Sequence, residues 1–200
     1  MSWLFPYTCP LCGQISAPVL CPKCAAEHPP ELLVPPMLLD VNGRVLYRYA
    51  GAARDALDRF KFRGKSSCAD GFGRLIAQYV DARMVDVVTY VPMDFAKQAR
   101  RGYNQAELLA RYCAHALNRP CRRLLTKTRR TQTQHLLSAA KRRENVEGAY
   151  RSAPLNGARI LLCDDIVTTG ATLRSCAGEL RRAGAGSVQT FCIAWSSGTL

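Results

Sequence analysis

A chain of 200 residues and 22.1 kDa, 48% hydrophobic and 22% charged, has room for one ordinary domain with a core and excludes a large multidomain, disordered or fibrous protein. No apolar run approaches the roughly 18 residues of a membrane span, and residues 1–9 lack the features of a secretion signal, so we expect a soluble cytoplasmic protein. The 28 Lys and Arg against 15 Asp and Glu leave a formal charge of +13, which indicates a polyanion or a phosphorylated small molecule as the partner.

The first predicted element is a pair of CxxC motifs, Cys9-x-x-Cys12 and Cys21-x-x-Cys24. Two such motifs facing each other would place four thiolates around a tetrahedral Zn²⁺, and so short a segment has no other means of staying folded. The alternatives are a redox-active CxxC or two disulfides, which the absence of a thioredoxin-like pattern and of a secretion signal disfavours. We therefore expect a structural zinc site without an open coordination position, and the remaining cysteines as small buried side chains.

Prolines mark a domain boundary after this segment. The chain up to about residue 39 is rich in Pro and Cys and ends in a stretch that neither a helix nor a central strand tolerates, with Pro29, Pro30, Pro35 and Pro36. We therefore predict a zinc ribbon over residues 1–39 and a second domain over residues 40–200.

Beyond residue 40, amphipathic helical patterns alternate with strand-like apolar runs. Apolar residues with the three-and-four spacing of one buried helix face lie at residues 53–60, 72–80, 106–117 and 173–180. Strand-like runs lie at residues 85–91, 159–163 and 188–195, and the middle run is almost continuously apolar, as in a strand covered on both faces. The alternation predicts an α/β fold with a parallel sheet flanked by helices.

A strand end and a basic turn follow one another at residues 91–105. Val91-Pro92-Met93-Asp94 ends a predicted strand, and Arg100-Arg101-Gly102-Tyr103-Asn104-Gln105 leads into the next helix. Two guanidinium groups beside backbone N–H groups could grip a diphosphate. The alternative is a helix entrance with solvated arginines.

Positive charge is concentrated in residues 119–151, where ten Lys and Arg residues face only Glu144 and Glu147. This span must stay solvated or meet anions. Residues 127–147 lack clear periodicity and are too long for a simple connection, which is typical of a working loop.

The strongest motif covers residues 160–172. Four apolar residues precede Asp164 and Asp165, and the loop Thr168-Thr169-Gly170-Ala171-Thr172 then leads into a helical pattern. In a parallel sheet this order brings two carboxylates to the carboxyl edge, where ligands bind, and provides backbone N–H groups at a helix N-terminus for a phosphate. The carboxylates would then face sugar hydroxyls or a divalent cation, as a ribose 5-phosphate requires. A surface turn with one aspartate capping the helix is the alternative.

This stretch resembles the signature of type I phosphoribosyltransferases, in which four apolar residues and two acids precede a Thr-Thr-Gly-x-Thr loop. The resemblance implies the fold of that family with its flexible hood loop, and 5-phosphoribosyl 1-diphosphate with Mg²⁺ as the substrate. It assigns the ribose hydroxyls to Asp164 and Asp165, as the catalytic residues. It assigns the 5-phosphate to the loop, that is to Thr168, Thr169, Gly170, Ala171 and Thr172.

Nearly the whole chain is similar to the ComF (ComFC) family of competence-associated phosphoribosyltransferase homologues. The similarity rests on residues 100–105, on Arg129-x-Thr131-x-x-Gln134-x-x-Leu137, and on Arg142 with Asn145-Val146-x-Gly148-Ala149-Tyr150. It implies an N-terminal zinc ribbon, a hood over residues 129–147, and a weaker diphosphate site formed by Pro92, Met93, Asp94, Arg100, Arg101 and Arg129. Lys61 belongs to a string that recurs in ComF-like chains; it could point to the diphosphate, but we rather expect a solvated helix end.

A second function is also compatible with the sequence, namely binding of single-stranded DNA by a competence or recombination factor that keeps a ribose-phosphate pocket without catalysis. The predicted zinc ribbon, the charge of +13 and tyrosines interleaved with arginines, Tyr47, Tyr49, Tyr103 and Tyr112, suit stacking on bases and contact with phosphates. Single-stranded DNA or the helicase machinery of DNA uptake would then be the partner. No segment of the sequence names the acceptor of a transferase reaction.

Overall fold

The structure, a computed structural model, describes residues 7–15, 19–62, 67–128 and 148–196. The predicted hood over residues 129–147, including Arg129, lies outside the described residues. In the part of the chain that is described, no helix combines the length and the hydropathy needed to cross a lipid bilayer.

Six helices and six strands follow one another in the described chain. In order they are α1 (Pro22–Glu27), β1 (Gly43–Arg48), α2 (Gly51–Phe62), α3 (Ser67–Ala77), β2 (Val87–Tyr90), α4 (Phe95–Arg101), α5 (Gln105–Ala116), β3 (Leu125–Lys127), β4 (Tyr150–Ser152), β5 (Arg159–Val167), α6 (Ala171–Arg182) and β6 (Ser187–Trp195). Short 3₁₀ turns lie at Pro36–Val41 and Ala82–Met84.

The four longer strands form a parallel sheet in the order β1-β6-β5-β2. Ile160–Cys163 of β5 are fully buried because β5 has a neighbour on each side and helices cover both faces of the sheet. β3 and β4 form a separate antiparallel pair. The predicted parallel sheet flanked by helices is confirmed.

Apolar side chains fill the two sides of the sheet separately. One core contains side chains of α2, α3 and α5, such as Phe60, Phe72 and Leu109, together with buried residues of the N-terminal cysteine segment. The other core contains side chains of α6 and of the 3₁₀ turn before β1, such as Leu173 and Leu38. The molecule therefore has three layers, with the sheet in the middle.

The predicted helical patterns correspond to α2, α3, α5 and α6, and the predicted strands to β2, β5 and β6. Two details differ from the expectations. Arg100 and Arg101, predicted to lie in a turn, instead end α4, a short helix that was not predicted and that Asp94 caps at its N-terminus. β5 does not end before the acid pair but continues to Val167, since its pairing with β6 continues up to Trp195.

Candidate functional site

The carboxyl edge of the sheet brings the two predicted motifs together. β5 carries Asp164 and Asp165 at this edge, and the neighbouring strand β2 ends beside them at Tyr90. The Val91 N–H donates to the carbonyl oxygen of Cys163 at 3.1 Å, which holds the two strand ends in line. The acid pair and the segment that follows β2 therefore border one site, as ligand sites of open parallel sheets do.

The two carboxylates are bound only locally. Asp164 Oδ1 accepts a hydrogen bond from the Asp165 N–H at 2.9 Å, and Asp165 Oδ1 accepts one from the Ile166 N–H at 2.8 Å. Within the described ranges neither carboxylate forms an ion pair. Burial, and then the charge of Asp165, raise the pKa of Asp164 well above its ordinary value, and the charge of Lys61 offsets only part of this rise. Asp164 is thus a carboxylate whose charge is poorly compensated in the free protein.

The loop after β5 encloses a pocket of about 100 Å³, which we call the loop pocket; it is lined by Asp164 and by residues 166–173. Gly170 is the N-cap of α6 and has a left-handed backbone with a φ of 71°, and no side chain of the described residues forms a capping hydrogen bond with it. The N–H groups of a helix N-terminus without a capping side chain suit an anion. The five predicted phosphate residues all line this pocket, with Gly170 and Ala171 buried and the three threonines half-buried, at Thr168, Thr169 and Thr172.

Arg174 holds the loop from outside. Its Nη2 donates to the carbonyl oxygen of Thr169 at 2.9 Å, and its Nη1 donates to that of Met37 at 2.6 Å. The guanidinium thus joins the loop to the 3₁₀ turn before β1. Arg174 was not predicted as a site residue. An arginine near the start of an amphipathic helix is common, and no sequence pattern shows that it binds a distant carbonyl oxygen.

Gly170→Ala is expected to destabilise the protein by about 1–3 kcal/mol, because a left-handed non-glycine residue costs about 1 kcal/mol or more and its Cβ would crowd the loop. The added Cβ would lie 3.0 Å from Leu38 Cδ2 and 3.1 Å from the Met37 carbonyl oxygen. Gly178→Ala, in the interior of α6 with open space around the Cβ, should instead stabilise by up to about 1 kcal/mol. Urea unfolding of both variants measures the difference, and equal midpoints would contradict the assigned strain.

The segment after β2 is ordered by local contacts. Pro92 is buried, and Met93 and Asp94 are half-buried. The Asp94 carboxylate accepts a hydrogen bond from the Ala96 N–H at 3.1 Å and so starts α4. This bond explains Asp94 in the free protein without reference to a ligand.

Arg100 and Arg101 lie in the last turn of α4, at the same edge of the molecule. Arg100 is exposed, whereas Arg101 is half-buried and its Nη1 donates to Gln105 Oε1 at 3.2 Å. The structure therefore presents one fully solvated guanidinium and one held against the next helix.

Two side chains fix the turn between α4 and α5. Asn104 is buried; its Nδ2 donates to the Val91 carbonyl oxygen at 3.0 Å, and its Oδ1 accepts from the Ala106 N–H at 3.0 Å. The Tyr103 ring stacks on Phe60 with the centroids 6.2 Å apart, and its hydroxyl donates to the Phe60 carbonyl oxygen. The basic turn is thus attached both to the end of β2 and to α2.

Lys61, at the C-terminal end of α2, lies on the same side of the site as the acids. Its Nζ lies 5.3 Å from the centroid of the Tyr49 ring, and the Tyr49 hydroxyl donates to Asp58 Oδ1 at 2.6 Å. Burial and this carboxylate raise the pKa of Tyr49 to about 12. The charge of Lys61 acts on Asp164, which favours a role for Lys61 at the diphosphate, and this role stays a prediction.

The β3–β4 pair borders the site from the other face of the sheet. Lys127 of β3 pairs with Tyr150 of β4. Burial lowers the pKa of Lys127, and the charge of Asp94 opposes this effect. Burial also raises the pKa of Tyr150, with smaller contributions from Cys176 and Asp164. A lysine and a phenol therefore lie close to the acid pair and to the segment after β2.

The predicted metal ligands lie together. The four Sγ atoms of Cys9, Cys12, Cys21 and Cys24 are all within 4.8 Å of one another. Cys12 Sγ and Cys21 Sγ are 3.7 Å apart, close to the roughly 3.8 Å that two thiolates of a tetrahedral zinc site require with bonds of about 2.3 Å. All ten cysteines are free thiols, so the alternative of two disulfides has no counterpart in the structure.

Backbone and side-chain groups around the cluster suit a bound cation. Burial by itself would raise the pKa of Cys9, but hydrogen bonds from backbone groups, first that of Cys21, lower it to about 7. The Tyr47 hydroxyl is buried and has no hydrogen-bond partner within the described ranges, and Cys9 and Cys24 act on it electrostatically. Metal-bound thiolates accept hydrogen bonds from N–H groups and from available hydroxyls such as this one. The four cysteines could therefore hold a metal ion.

The cysteine segment packs on helices α2 and α3. Arg59 of α2 donates to the carbonyl oxygen of Leu11. A Cβ on Gly71 of α3 would lie 2.7 Å from Pro10 Cδ, so the segment and α3 are in close contact at this point. Cys9 and Leu11 are buried in the same core as Phe60. α2 thus contacts the cysteine segment at Arg59, and the charge of Lys61 near the C-terminal end of the same helix acts on Asp164.

Comparison with known proteins identifies the family. No family model matches the chain. The DNA utilization protein YhgH of Salmonella typhimurium is 34% identical over 92% of this chain and 82% of its own length. The competence protein ComFC of Bacillus subtilis is 30% identical over 94% of this chain and 77% of its own length. The chain belongs to the ComF family. The assignment confirms the resemblance found in the motifs.

Solved structures similar to this ComF-family chain include phosphoribosyltransferases. The glutamine phosphoribosylpyrophosphate amidotransferase from B. subtilis is 26% identical with a TM-score of 0.44, and the match covers 62% of this chain and 25% of that one. The adenine phosphoribosyltransferase from Leishmania tarentolae is 10% identical with a TM-score of 0.47, over 85% of this chain and all of that one.

Proposed function

We propose that this ComF-family protein binds 5-phosphoribosyl 1-diphosphate with Mg²⁺ and transfers the phosphoribosyl group to an acceptor, releasing diphosphate. One observation carries the proposal. The acid pair, which forms no ion pair among the described residues, adjoins a helix N-terminus without a capping side chain. Carboxylates that can accept hydrogen bonds from sugar hydroxyls thus lie next to N–H groups that can donate to a phosphate, at the edge of a parallel sheet.

The 5-phosphate is placed in the loop pocket. Its oxygens would accept hydrogen bonds from the N–H groups of residues 169–172 and from the threonine hydroxyls, and the positive end of the α6 dipole would favour their charge. Arg174 supports the loop from outside, because its guanidinium is already bonded to two carbonyl oxygens.

The ribose hydroxyls and the cation are placed at Asp164 and Asp165. Carboxylate oxygens are suitable Mg²⁺ ligands, and the raised pKa of Asp164 shows a charge that a cation would stabilise. Bound Mg²⁺ would supply positive charge against the departing diphosphate. The two carboxylates themselves would orient the sugar by accepting hydrogen bonds from its hydroxyls.

The diphosphate is placed between the segment after β2 and the cations around it. Arg100 and Arg101 follow Met93 and Asp94 along α4, and Lys61 and Lys127 approach from opposite faces of the sheet. Positive groups fixed in advance around a leaving group that gains negative charge lower the barrier to its departure. No described side chain stands out as a general base, so the acceptor must supply a ready nucleophile.

Isothermal titration with phosphoribosyl diphosphate, in the presence and absence of Mg²⁺, tests the proposal. We expect binding that requires the cation, and weaker binding of ribose 5-phosphate and of diphosphate offered separately, because each fills only part of the site. Equal affinity with and without Mg²⁺, or no binding at all, would contradict it.

The cysteine cluster completes the proposal as a structural Zn²⁺ site of a zinc ribbon. Four thiolates leave no coordination position for a substrate, and the separation of Cys12 Sγ and Cys21 Sγ fits a tetrahedral ion. In this role the ion would hold residues 7–28 on α2 and α3.

Single-stranded DNA binding is the second candidate, supported by the names of relatives, a DNA utilization protein and a competence protein, and by the charge of +13. Oligonucleotide affinity should then fall steeply with salt and survive Asp164→Asn with Asp165→Asn. It should be lost when four arginines outside the described residues become alanine, namely Arg129, Arg130, Arg142 and Arg143. Loss in the aspartate variant instead would place DNA at the phosphoribosyl site.

A further inference from the structure

We propose that the protein has a second anion site, a pocket on the outer side of β2 that binds a phosphate monoester. The pocket has a volume of about 520 Å³, and its lining includes Tyr90, Arg111, His115, Arg119, Cys121 and Arg123. It shares no lining residue with the loop pocket. The inference therefore goes beyond the proposed transferase and does not depend on it.

Two elements converge on this pocket. α5 supplies Arg111 and His115, four residues apart and thus on one helix face. Residues 120–122 run parallel to β2 as an added short strand, with the Val88 N–H bonded to the Pro120 carbonyl oxygen at 2.9 Å and the Arg122 N–H to the Val88 carbonyl oxygen at 3.0 Å. The pocket is thus a cleft between a helix and a sheet edge, which is a built feature of the fold.

Arg119 is fixed in position by the backbone. Its Nε donates to the carbonyl oxygen of Val85 at 2.7 Å, its Nη2 to that of Ala82 at 2.9 Å and its Nη1 to that of Asn118 at 3.1 Å. A guanidinium has five N–H donors, so N–H groups remain for a ligand. Arg119 forms no ion pair with any carboxylate of the described chain. Its positive charge is therefore held in place without a counter-charge in direct contact.

Arg111 and Arg123 add charge on both sides of the cleft. Arg111 Nη2 lies 2.7 Å from Glu107 Oε1, so this arginine is compensated in part. Arg123 donates from Nε to the Leu125 carbonyl oxygen at 3.5 Å, and its terminal nitrogens have no partner among residues 7–15, 19–62, 67–128 and 148–196. Both charges act on the Tyr90 phenol, where they oppose the rise in pKa that burial causes. The two side chains thus approach the same point of the pocket wall.

The charged side chains around the pocket indicate the chemical class of its ligand. Three arginines face the pocket, and Glu107 is the carboxylate bound to one of them. Asp86 acts on Arg119 from a distance but is bound to Arg159, and Asp70 acts on His115 but is bound to Arg74. A phosphate dianion would satisfy the remaining guanidinium donors. The volume lies within the range of about 300–1,000 Å³ for small-molecule sites, so the ester carries a body of nucleoside size.

Cys121 provides a probe inside the pocket. It is half-buried, and burial raises the pKa of its thiol to about 11, so alkylation by iodoacetamide is slow and can be followed at about pH 9 by mass spectrometry of the peptide that contains it. The probes are thymidine 5′-monophosphate, thymidine, and a thymidine oligonucleotide with and without a 5′-phosphate. We expect the monophosphate to slow alkylation at least fivefold and thymidine to leave it unchanged. Protection by the 5′-phosphorylated oligonucleotide as well would name a strand end as a source of the phosphate.

Arg111→Gln with Arg123→Gln should raise the monophosphate concentration needed for half-maximal protection at least tenfold. The matched control, Arg83→Gln with Arg181→Gln, removes the same charge from arginines outside the pocket and should keep the protection. Asp164→Asn with Asp165→Asn should keep it too, which separates the second site from the phosphoribosyl site. The inference fails if no phosphate ester protects Cys121, if unphosphorylated thymidine protects equally, or if the Arg111 and Arg123 variant is protected like the parent.

Discussion

Asp164→Asn is expected to stabilise the free protein and at the same time to abolish Mg²⁺-dependent binding of phosphoribosyl diphosphate. Burial and the charge of Asp165 raise the pKa of Asp164 well above its ordinary value, so the folded state binds this proton more tightly than the unfolded chain. Protonated Asp164 therefore stabilises the folded state. This contribution is fully present below the unfolded pKa, about 3.9, and is lost as the pH rises from there through the folded pKa. Asparagine keeps an oxygen for the Asp165 N–H and has no charge to bury.

Urea unfolding at neutral pH should therefore show a gain of about 1–3 kcal/mol in the free energy of unfolding, the range for a poorly compensated buried polar group. The gain should disappear below about pH 4, where Asp164 is protonated in both states. Affinity for phosphoribosyl diphosphate with Mg²⁺ should fall at least about 100-fold, since hydrogen bonds to charged groups contribute about 1.5–3 kcal/mol each.

Asp55→Asn, an exposed aspartate of α2, is the matched control and should change neither quantity. A variant at Asp164 that is less stable at neutral pH would show that its charge is compensated after all. Unchanged affinity in Asp164→Asn with Asp165→Asn would remove the acid pair from the site.

Removal of metal from the cysteine cluster should have the largest effect on stability. Structural zinc contributes about 10–16 kcal/mol to the folding of small zinc peptides, and here Cys9, Leu11 and Leu20 are buried against α2 and α3. Cys9→Ser with Cys24→Ser should therefore lower the free energy of unfolding by several kcal/mol. Because α2 is bonded to the segment at Arg59 and carries Lys61, whose charge acts on Asp164, affinity for phosphoribosyl diphosphate should fall as well.

Differential scanning calorimetry with and without a chelator, together with metal analysis of the purified protein, measures this effect. We expect one zinc per chain and a lower melting temperature after chelation. Cys68→Ser, a buried cysteine of α3 outside the cluster, is the control and should retain the metal. Full stability of the chelated protein, or a disulfide in place of the metal, would contradict the zinc assignment.

Local patterns made much of the fold predictable. The faces of α2, α3, α5 and α6 were predicted because a period of 3.6 residues is visible within each segment, and β5 because its apolar run is continuous. β1 was missed. Its six residues include Arg44 and Arg48, and its stability comes from pairing with β6, which lies more than 130 residues further along the chain.

In the candidate site, too, local features were predictable from the sequence and long-range ones were not. The acid pair and its loop were predicted because they are contiguous in sequence and lie at the end of a buried strand. Arg174 was missed because its partner Met37 is 137 residues away. The charge of Lys61 acts on Asp164, and that of Asp164 acts on Tyr150, because of where α2 and the β3–β4 pair lie in the fold. No local sequence pattern predicts such a long-range effect.

A crystal structure of the protein soaked with phosphoribosyl diphosphate and Mg²⁺ tests the central claim most directly. We expect the 5-phosphate to be bound by the N–H groups of residues 169–172, and the ribose hydroxyls and the cation to be bound by Asp164 and Asp165. Density for the ligand elsewhere, or an empty loop with both aspartates turned to arginine side chains at saturating ligand, would contradict it.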